Sequence, residues 1–285
     1  MGKNIIDNQE LFFDMHAEFA QWHQRDDIFY IYANQLAING FTWIEQGKNI
    51  LDYGCGEGNT LEVFLLNRNR KEYNFYGVDM SANAIKAISA KYPEYKFYKI
   101  VNNKIPQIPD SFLDAACLNY VLHHSDEHEA IIREIYSKLA PSGKFLIIDL
   151  TSNNPFLRLG LFLFRFMPMF LKNKFSDDLI IDGKLPEKFK VDKETILKLL
   201  NKNGFSIVEI DYGHLFFILF CWLERFIPLS RFNFVLNVYK KLIKFEQYLL
   251  RFKFFQKRAE LFYIKCEKCY KPSQNKRNKI IEHPS

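Results

Sequence analysis

Five cysteines among 285 residues, at Cys55, Cys117, Cys221, Cys266 and Cys269, are odd in number, scattered and mostly set in apolar segments. They outline no disulfide framework and predict a reducing, cytoplasmic setting. Cys266 and Cys269 have the spacing of half a zinc site, but no second Cys pair or His pair accompanies them, so no metal site is expected. No apolar run reaches the ~18–20 residues that a spanning helix needs. The two Phe/Leu-rich stretches are interrupted by charge, as at Arg158 and Arg165. The first residues, "GKNIIDNQELFFD", carry neither a long apolar stretch nor a small-residue cleavage site, which predicts a chain that stays inside the cell. No internal repeat is visible.

The hydrophobic fraction of 48% and charged fraction of 25% belong to an ordinary globular chain, long enough to bury a substantial core. The 29 Phe and 15 Tyr are a heavy aromatic load that AT-rich coding would also produce. The net charge of +6 conceals an asymmetry: residues 1–150 carry 14 Lys/Arg against 20 Asp/Glu, and residues 151–285 carry 25 against 13. A basic half fits either an anionic partner or a solvated face.

From Leu11 to Leu36 apolar residues recur at helical spacing, and Asn39-Gly40 reads as a helix stop. A strand, turn, helix rhythm follows. "NILDY" precedes a glycine loop, a helix runs from about Asn59 to Arg68, "NFYGVD" is a second strand, and Ser81 caps a helix to about Lys91. "YKFYKI", "LDAACLN" and "GKFLIIDL" are three further strands, with a helix over about 126–139 before the last. Apolar strands alternating with helices predict a doubly wound α/β fold around a parallel sheet. A helix over 193–202, a strand "FSIVEIDY", helical stretches at 215–222 and around "LNVYKKLIKFEQYLLRF", and a strand "AELFYIKCE" complete the chain. The expected organisation is one domain over 1–270, with an N-terminal helical cover (1–45), a core (46–150) and a C-terminal part with apolar helical insertions (151–270). A disordered basic tail occupies 271–285.

The loop "ILDYGCGEGN" places Gly54, Gly56 and Gly58 at alternate positions after the first strand. A nicotinamide-binding fingerprint would need a glycine where Asn59 stands. Small residues here still let backbone approach a ligand beside a helix N-terminus, where free N–H groups accept an anion such as a carboxylate. Asp79, ending the second strand, is placed to accept hydrogen bonds from both hydroxyls of a ribose.

With "ILDYGCGEGN", "YGVDMS", "IPDSFLDAACLNYVLHHSD" and "LAPSGKFLIIDL" in that order, the chain resembles the class I S-adenosylmethionine-dependent methyltransferases, small-molecule branch, over about Asn49 to Leu150. The resemblance implies a Rossmann-like seven-stranded sheet whose last strand is antiparallel, with "GFSIVEIDY" and "AELFYIKCE" as the closing hairpin. It implies S-adenosyl-L-methionine as cofactor. Asp52, Gly54, Cys55 and Gly56 would line its methionine end, Asp79 its ribose and Met80 its adenine. Asn119, ending the fourth strand, belongs to the same expected cofactor shell. Members often carry an acid after the third strand; here "VNNK" offers Asn102 or Asn103 as a side-chain carbonyl instead.

A sulfonium methyl is already activated, so alignment of the acceptor and exclusion of water are the main tasks. For a hydroxyl acceptor, His123 or His124 in "NYVLHH" is a candidate base, the other reading being a helix cap or backbone contact. His16, His23 and His214 read as structural or exposed. An Asn-Pro-Pro-aromatic pattern, typical of amine methylation, is absent, since Asn119-Tyr120-Val121 stands in its place. No RNA-binding module is evident, so nucleic acid is not an expected partner.

Residues 155–171 and 215–250 are expected over the carboxyl edge of the sheet. Their apolar, Lys/Arg-flanked character suits a hydrophobic or lipid-linked acceptor and peripheral contact with the inner membrane face. Alternatives are a soluble sugar or other polar metabolite as acceptor, or a non-catalytic cofactor-binding partner subunit. The sequence leaves oligomeric state open.

Overall fold

From residue 49 onward, strands and helices alternate to build one mixed sheet. The computed structural model describes residues 40–44, 47–66, 73–151, 154–166, 191–227 and 229–269. The expected helices before residue 40, with His16 and His23, and the expected tail lie outside the described residues.

The strands are β1 (Asn49–Tyr53), β2 (Asn74–Asp79), β3 (Lys96–Lys99), β4 (Leu113–Asn119), β5 (Leu139–Leu150), β6 (Phe205–Gly213) and β7 (Leu261–Lys268). Their order in the sheet is β3-β2-β1-β4-β5-β7-β6. Strands β3 to β5 pair in parallel, and β7 runs antiparallel between β5 and β6. The seven-stranded sheet with its closing hairpin is therefore the one the sequence predicts.

Helices α1 (Asn59–Leu66), α2 (Ala82–Lys91), α3 (His128–Lys138), α4 (Pro155–Arg165), α5 (Lys193–Lys202), α6 (Ile218–Phe226), α7 (Asn233–Leu249) and α8 (Lys253–Gln256) complete the described elements. Successive strand residues point to opposite faces, so each interior strand feeds two cores. Leu51 and Tyr53 of β1 join Ile131 and Ile135 of α3 and Ile196 and Leu200 of α5 in one cluster. Ile50 joins Phe75, Ile88 of α2, Leu61 of α1 and Leu146 in the other. Ser81 caps α2 as its sequence position predicts, its Oγ accepting from Ala84 N at 3.1 Å.

One expected boundary is overturned. Gly40 does not end a helix but is itself helical, within residues 40–44, which bury Phe41 and Ile44. A Cβ at Gly40 would stand 2.9 Å from Leu146 Cδ2, so close packing of this helix on β5 outweighs the local tendency of Asn-Gly to end it. Strand β5 also begins earlier than "GKFLIIDL" implies, because Leu139 already pairs with Leu113.

Both insertions leave from the edge of the sheet where the parallel strands end. Helix α4 follows β5, and α6 to α8 join β6 to β7, whose first residue Leu261 pairs with Leu150. They carry small cores of their own: Phe217, Ile218 and Tyr239 form one cluster, Leu215, Leu250 and Ala259 another, and Phe156 of α4 packs against both.

Candidate active site

In an open parallel sheet the crevice for a ligand lies beyond the carboxyl ends of the strands, where the strand order reverses. Here that point falls between β1 and β4. The loops after both strands close on each other: a Cβ at Gly54 would lie 2.4 Å from Val121 Cγ2, and Gly54 holds φ +82°. Both facts require glycine. Gly54 N and Cys55 N each donate to Val78 O, at 2.7 and 3.0 Å, which ties the loop to β2.

Gly56, at φ +48°, faces open space instead, with no atom within 4 Å of where a Cβ would be. Its amide donates to Asp79 Oδ2 at 2.8 Å, while Ser81 N donates to Asp79 Oδ1 at 2.9 Å. Asp79 thus holds the glycine loop and the start of α2 together. A carboxylate accepts at about four positions, which is the chemistry that the two hydroxyls of a ribose call for.

Below the loop, Asp52 is fully buried and its carboxyl is pushed up to about 7, chiefly by loss of water, against the lowering effect of bonds to Cys117 and Thr60 and with a small further rise from Asp79. Cys117 Sγ donates to Asp52 Oδ1 at 3.4 Å, and Asn119 Nδ2 donates to Thr60 Oγ1 at 3.2 Å. Two buried acceptors, Asp52 Oδ2 and Asn119 Oδ1, have no hydrogen-bond partner. Buried acceptors without donors are costly. An ammonium, with three donors and a positive charge, answers both deficits. S-adenosylmethionine brings an ammonium, a ribose and a methionine carboxylate, so the residues present fit it.

The other predicted residues are placed as follows. Cys55 turns its thiol into the apolar cluster under the loop, and burial raises its pKa, so its contribution to the loop is backbone and small size. Met80 is half-buried directly after Asp79. Asn102 and Asn103 have left-handed φ of 51° and 56° in the turn joining Val101 to Lys104. Asn103 donates its amide to the Glu127 carboxylate.

His123 and His124 form one turn of 3₁₀ helix, Leu122–His124, beyond β4, with ring centroids 3.9 Å apart. Burial, helped by His123, pushes His124 down to about 3, so it stays neutral at physiological pH. His123 Nδ1 lies 2.6 Å from Asp149 Oδ1. Asp149 is fully buried near the end of β5 and also accepts from Leu122 N at 2.7 Å and Leu150 N at 2.7 Å. This contact engages Nδ1, and Nε2 is the second nitrogen of the ring. His128 Nε2 is 2.8 Å from Leu122 O, the first residue of this turn.

Asp149 and Thr60 are the residues sequence reading missed. An acid next to the end of a buried strand is itself the signal for Asp149, because a buried carboxylate demands partners. Among the described residues no group of three or more His, Cys, Asp or Glu is arranged to hold a metal, and no helix is long and apolar enough to cross a membrane. His214 is fully buried and burial pushes it down to about 3. A hollow of about 180 Å³ lined by Gly47, Asp114 and residues 140–144 lies at the opposite edge of the sheet, away from these groups.

A doubly wound sheet with an open glycine turn at its switch point and an acid closing the second strand defines a nucleoside-binding α/β protein. A methyltransferase-domain family matches residues 22–210, most of the chain, and the chain belongs to it as a class I S-adenosylmethionine-dependent methyltransferase with S-adenosyl-L-methionine as cofactor. It is 27% identical over 138 residues to a demethylmenaquinone methyltransferase from a Geobacillus species, a match spanning 45% of this chain and 58% of that one. The chain spans about half the length of the curated relatives it matches.

Two solved structures share the fold. The [4+2]-cyclase SpnF superposes with a TM-score of 0.54 at 17% identity, covering 83% of this chain and 82% of that one. A SAM-dependent methyltransferase from Aquifex aeolicus gives 0.50 at 14% identity, covering 85% and 94%.

Proposed function

We propose that the protein transfers the methyl of S-adenosylmethionine to an oxygen or carbon of a small hydrophobic or lipid-linked acceptor, in the cytoplasm at the inner membrane face. The observation that carries this reading is the position of the Phe/Leu-rich α4 and α6 to α8, which leave the sheet at the edge where β5 ends and Asp149 holds His123. The likeness to a demethylmenaquinone methyltransferase, whose name denotes a quinone acceptor, supports it from an independent direction.

When bound, S-adenosylmethionine supplies an activated sulfonium methyl. Asp79 would hold the ribose hydroxyls, and Asp52 with Asn119 would accept from the ammonium. Gly54 and Gly56 would give the backbone its close approach, and Met80 with Asn102 or Asn103 would meet the adenine. His123 would accept the acceptor's proton at Nε2, and Asp149 would keep Nδ1 protonated and stabilise the imidazolium formed. The half-buried, neutral His124 would restrict water beside it.

Methyl-labelled S-adenosylmethionine, incubated with the protein and an extract of its source cells and then partitioned between organic and aqueous phases, tests this reading. Label in the organic phase that disappears with Asp79→Ala is expected. Label confined to the aqueous phase refutes the hydrophobic acceptor, and cofactor binding without any transfer refutes methyl transfer itself.

A further inference from the structure

Twelve of the fourteen large hydrophobic residues exposed among the described residues lie in α4, at Phe166 directly after it, and in the insertion between β6 and β7. They are not scattered. Along α7 the exposed positions Phe234, Val238, Phe245 and Tyr248, followed by Phe252, fall at successive spacings of four, seven, three and four, which is one face of a helix. The opposite face of α7 buries Tyr239 and Glu246 against the rest of the insertion. On α4 and directly after it, Leu159, Phe162 and Phe166 likewise have the spacing of one side. Phe234 is 79% exposed and Phe166 73%, so these side chains stand outside either small core.

The charges around them have one sign. Between Leu215 and Ala259 the chain has nine Lys/Arg and two acids. Both acids are buried and engaged. Glu246 accepts from Phe216 N at 2.8 Å and Phe217 N at 2.6 Å, capping the start of α6, and Glu224 accepts from Ser230 N at 2.9 Å and Ser230 Oγ at 2.7 Å. Every charge this segment presents to solvent is therefore positive. Lys241 lies within the aromatic stripe of α7, with Lys240 and Lys244 beside it, all exposed.

We propose that this aromatic and basic face of α7, continued by Phe252, docks the protein on an anionic lipid bilayer. Exposed aromatic rings enter the headgroup boundary, while lysine stems lie along it and carry their ammonium groups to lipid phosphates. A protein partner fits the face less well, because the centre of a protein interface is depleted in lysine. The proposal deepens the reading of an acceptor drawn from a membrane. Its test reads vesicle binding and not methyl transfer, so either can fail alone.

The full chain is floated with vesicles of phosphatidylcholine alone and of phosphatidylcholine with phosphatidylglycerol. Binding is expected on the phosphatidylglycerol vesicles, falling as salt rises. Lys240→Ala with Lys244→Ala is expected to weaken it about thirtyfold, and Phe234→Ser with Phe245→Ser about tenfold or more. Both pairs are exposed, and unchanged titration by S-adenosylhomocysteine verifies that the variants are folded. No vesicle binding at low salt overturns the proposal, as does equal binding to both vesicle types. A stable dimer that Phe234→Ser with Phe245→Ser dissociates, in a protein that ignores vesicles, overturns it in favour of a contact between copies of the chain.

Discussion

The proposed seat of the cofactor's ammonium at Asp52 makes the affinity depend on pH with a calculable slope. Without a cation beside it, burial holds its carboxyl at about 7, against an ordinary 3.8. The folded protein therefore binds a proton on Asp52 up to near neutrality. An ammonium placed against Oδ2 restores the ionised form, so binding releases that proton. Below the raised pKa the affinity must rise with pH, by up to tenfold per unit, and level off above it. From pH 5.5 to 7.0 the expected gain is about fifteenfold, or ~1.6 kcal/mol. This window lies below the titration of an α-amino group at about 7.7–8.0, so the ligand keeps its charge throughout.

Calorimetric titration with S-adenosylhomocysteine measures both the affinity and the proton, through buffers of different ionisation enthalpy. Release should approach about one proton at pH 5.5 and about half at pH 7. Asp52→Asn should bind more weakly and lose the slope. The folding linkage has the corresponding sign. A raised carboxyl contributes stability that is complete below 3.8 and lost as pH rises through about 7, so unliganded Asp52→Asn should melt higher than the native chain at pH 8. A flat affinity profile in the native chain, or the same slope in Asp52→Asn, refutes the placement of the ammonium.

Three further outcomes are expected. Gly77→Ala sets a Cβ 2.5 Å from Phe97 Cδ1 and 3.0 Å from Cys55 Sγ, costing about 2 kcal/mol and lowering the melting temperature by ~4–8 °C; a calorimetric scan showing no loss contradicts the packing described. Asp149→Asn keeps the shape but no longer fixes the His123 tautomer, so kcat for a hydroxyl acceptor should fall about a hundredfold while S-adenosylhomocysteine binds as before. Equal losses in both would make Asp149 merely a support for the loop. Burial, with Glu246 adding to it, pushes Glu260 up to about 8 from 4.5. Its stabilising effect is therefore complete below 4.5 and lost as pH rises through about 8. Between pH 6 and 9 the native chain should lose about 2–3 kcal/mol more than Glu260→Gln, a difference of ~5–10 °C in melting temperature.

What could be read in advance was whatever local sequence determines. The apolar strands, the glycine loop and Ser81 as a cap are properties of a few neighbouring residues, and the hairpin follows from the family pattern. Misread features depend on residues distant in sequence. Gly40 carries the local signal of a helix end, but its role is set by Leu146 across the core. His123 can be picked out as a histidine after a strand, yet the atom that orients it belongs to Asp149, 26 positions further on. Glu246, not singled out in the sequence, stands on a basic helix and is turned inward onto Phe216 and Phe217 by the packing of α7 against α6. That inward turn also leaves the exposed charge of the insertion purely positive, a consequence no charge count along the chain contains.

The central claim is that the crevice between β1 and β4 holds S-adenosylmethionine through Asp79. Titration of the native chain and of Asp79→Ala with S-adenosylhomocysteine tests it most directly. One saturable site per chain is expected, weakened about a hundredfold or more by the substitution, since charged hydrogen bonds contribute about 1.5–3 kcal/mol each. Equal affinity in the two proteins, with both fully folded, would contradict it.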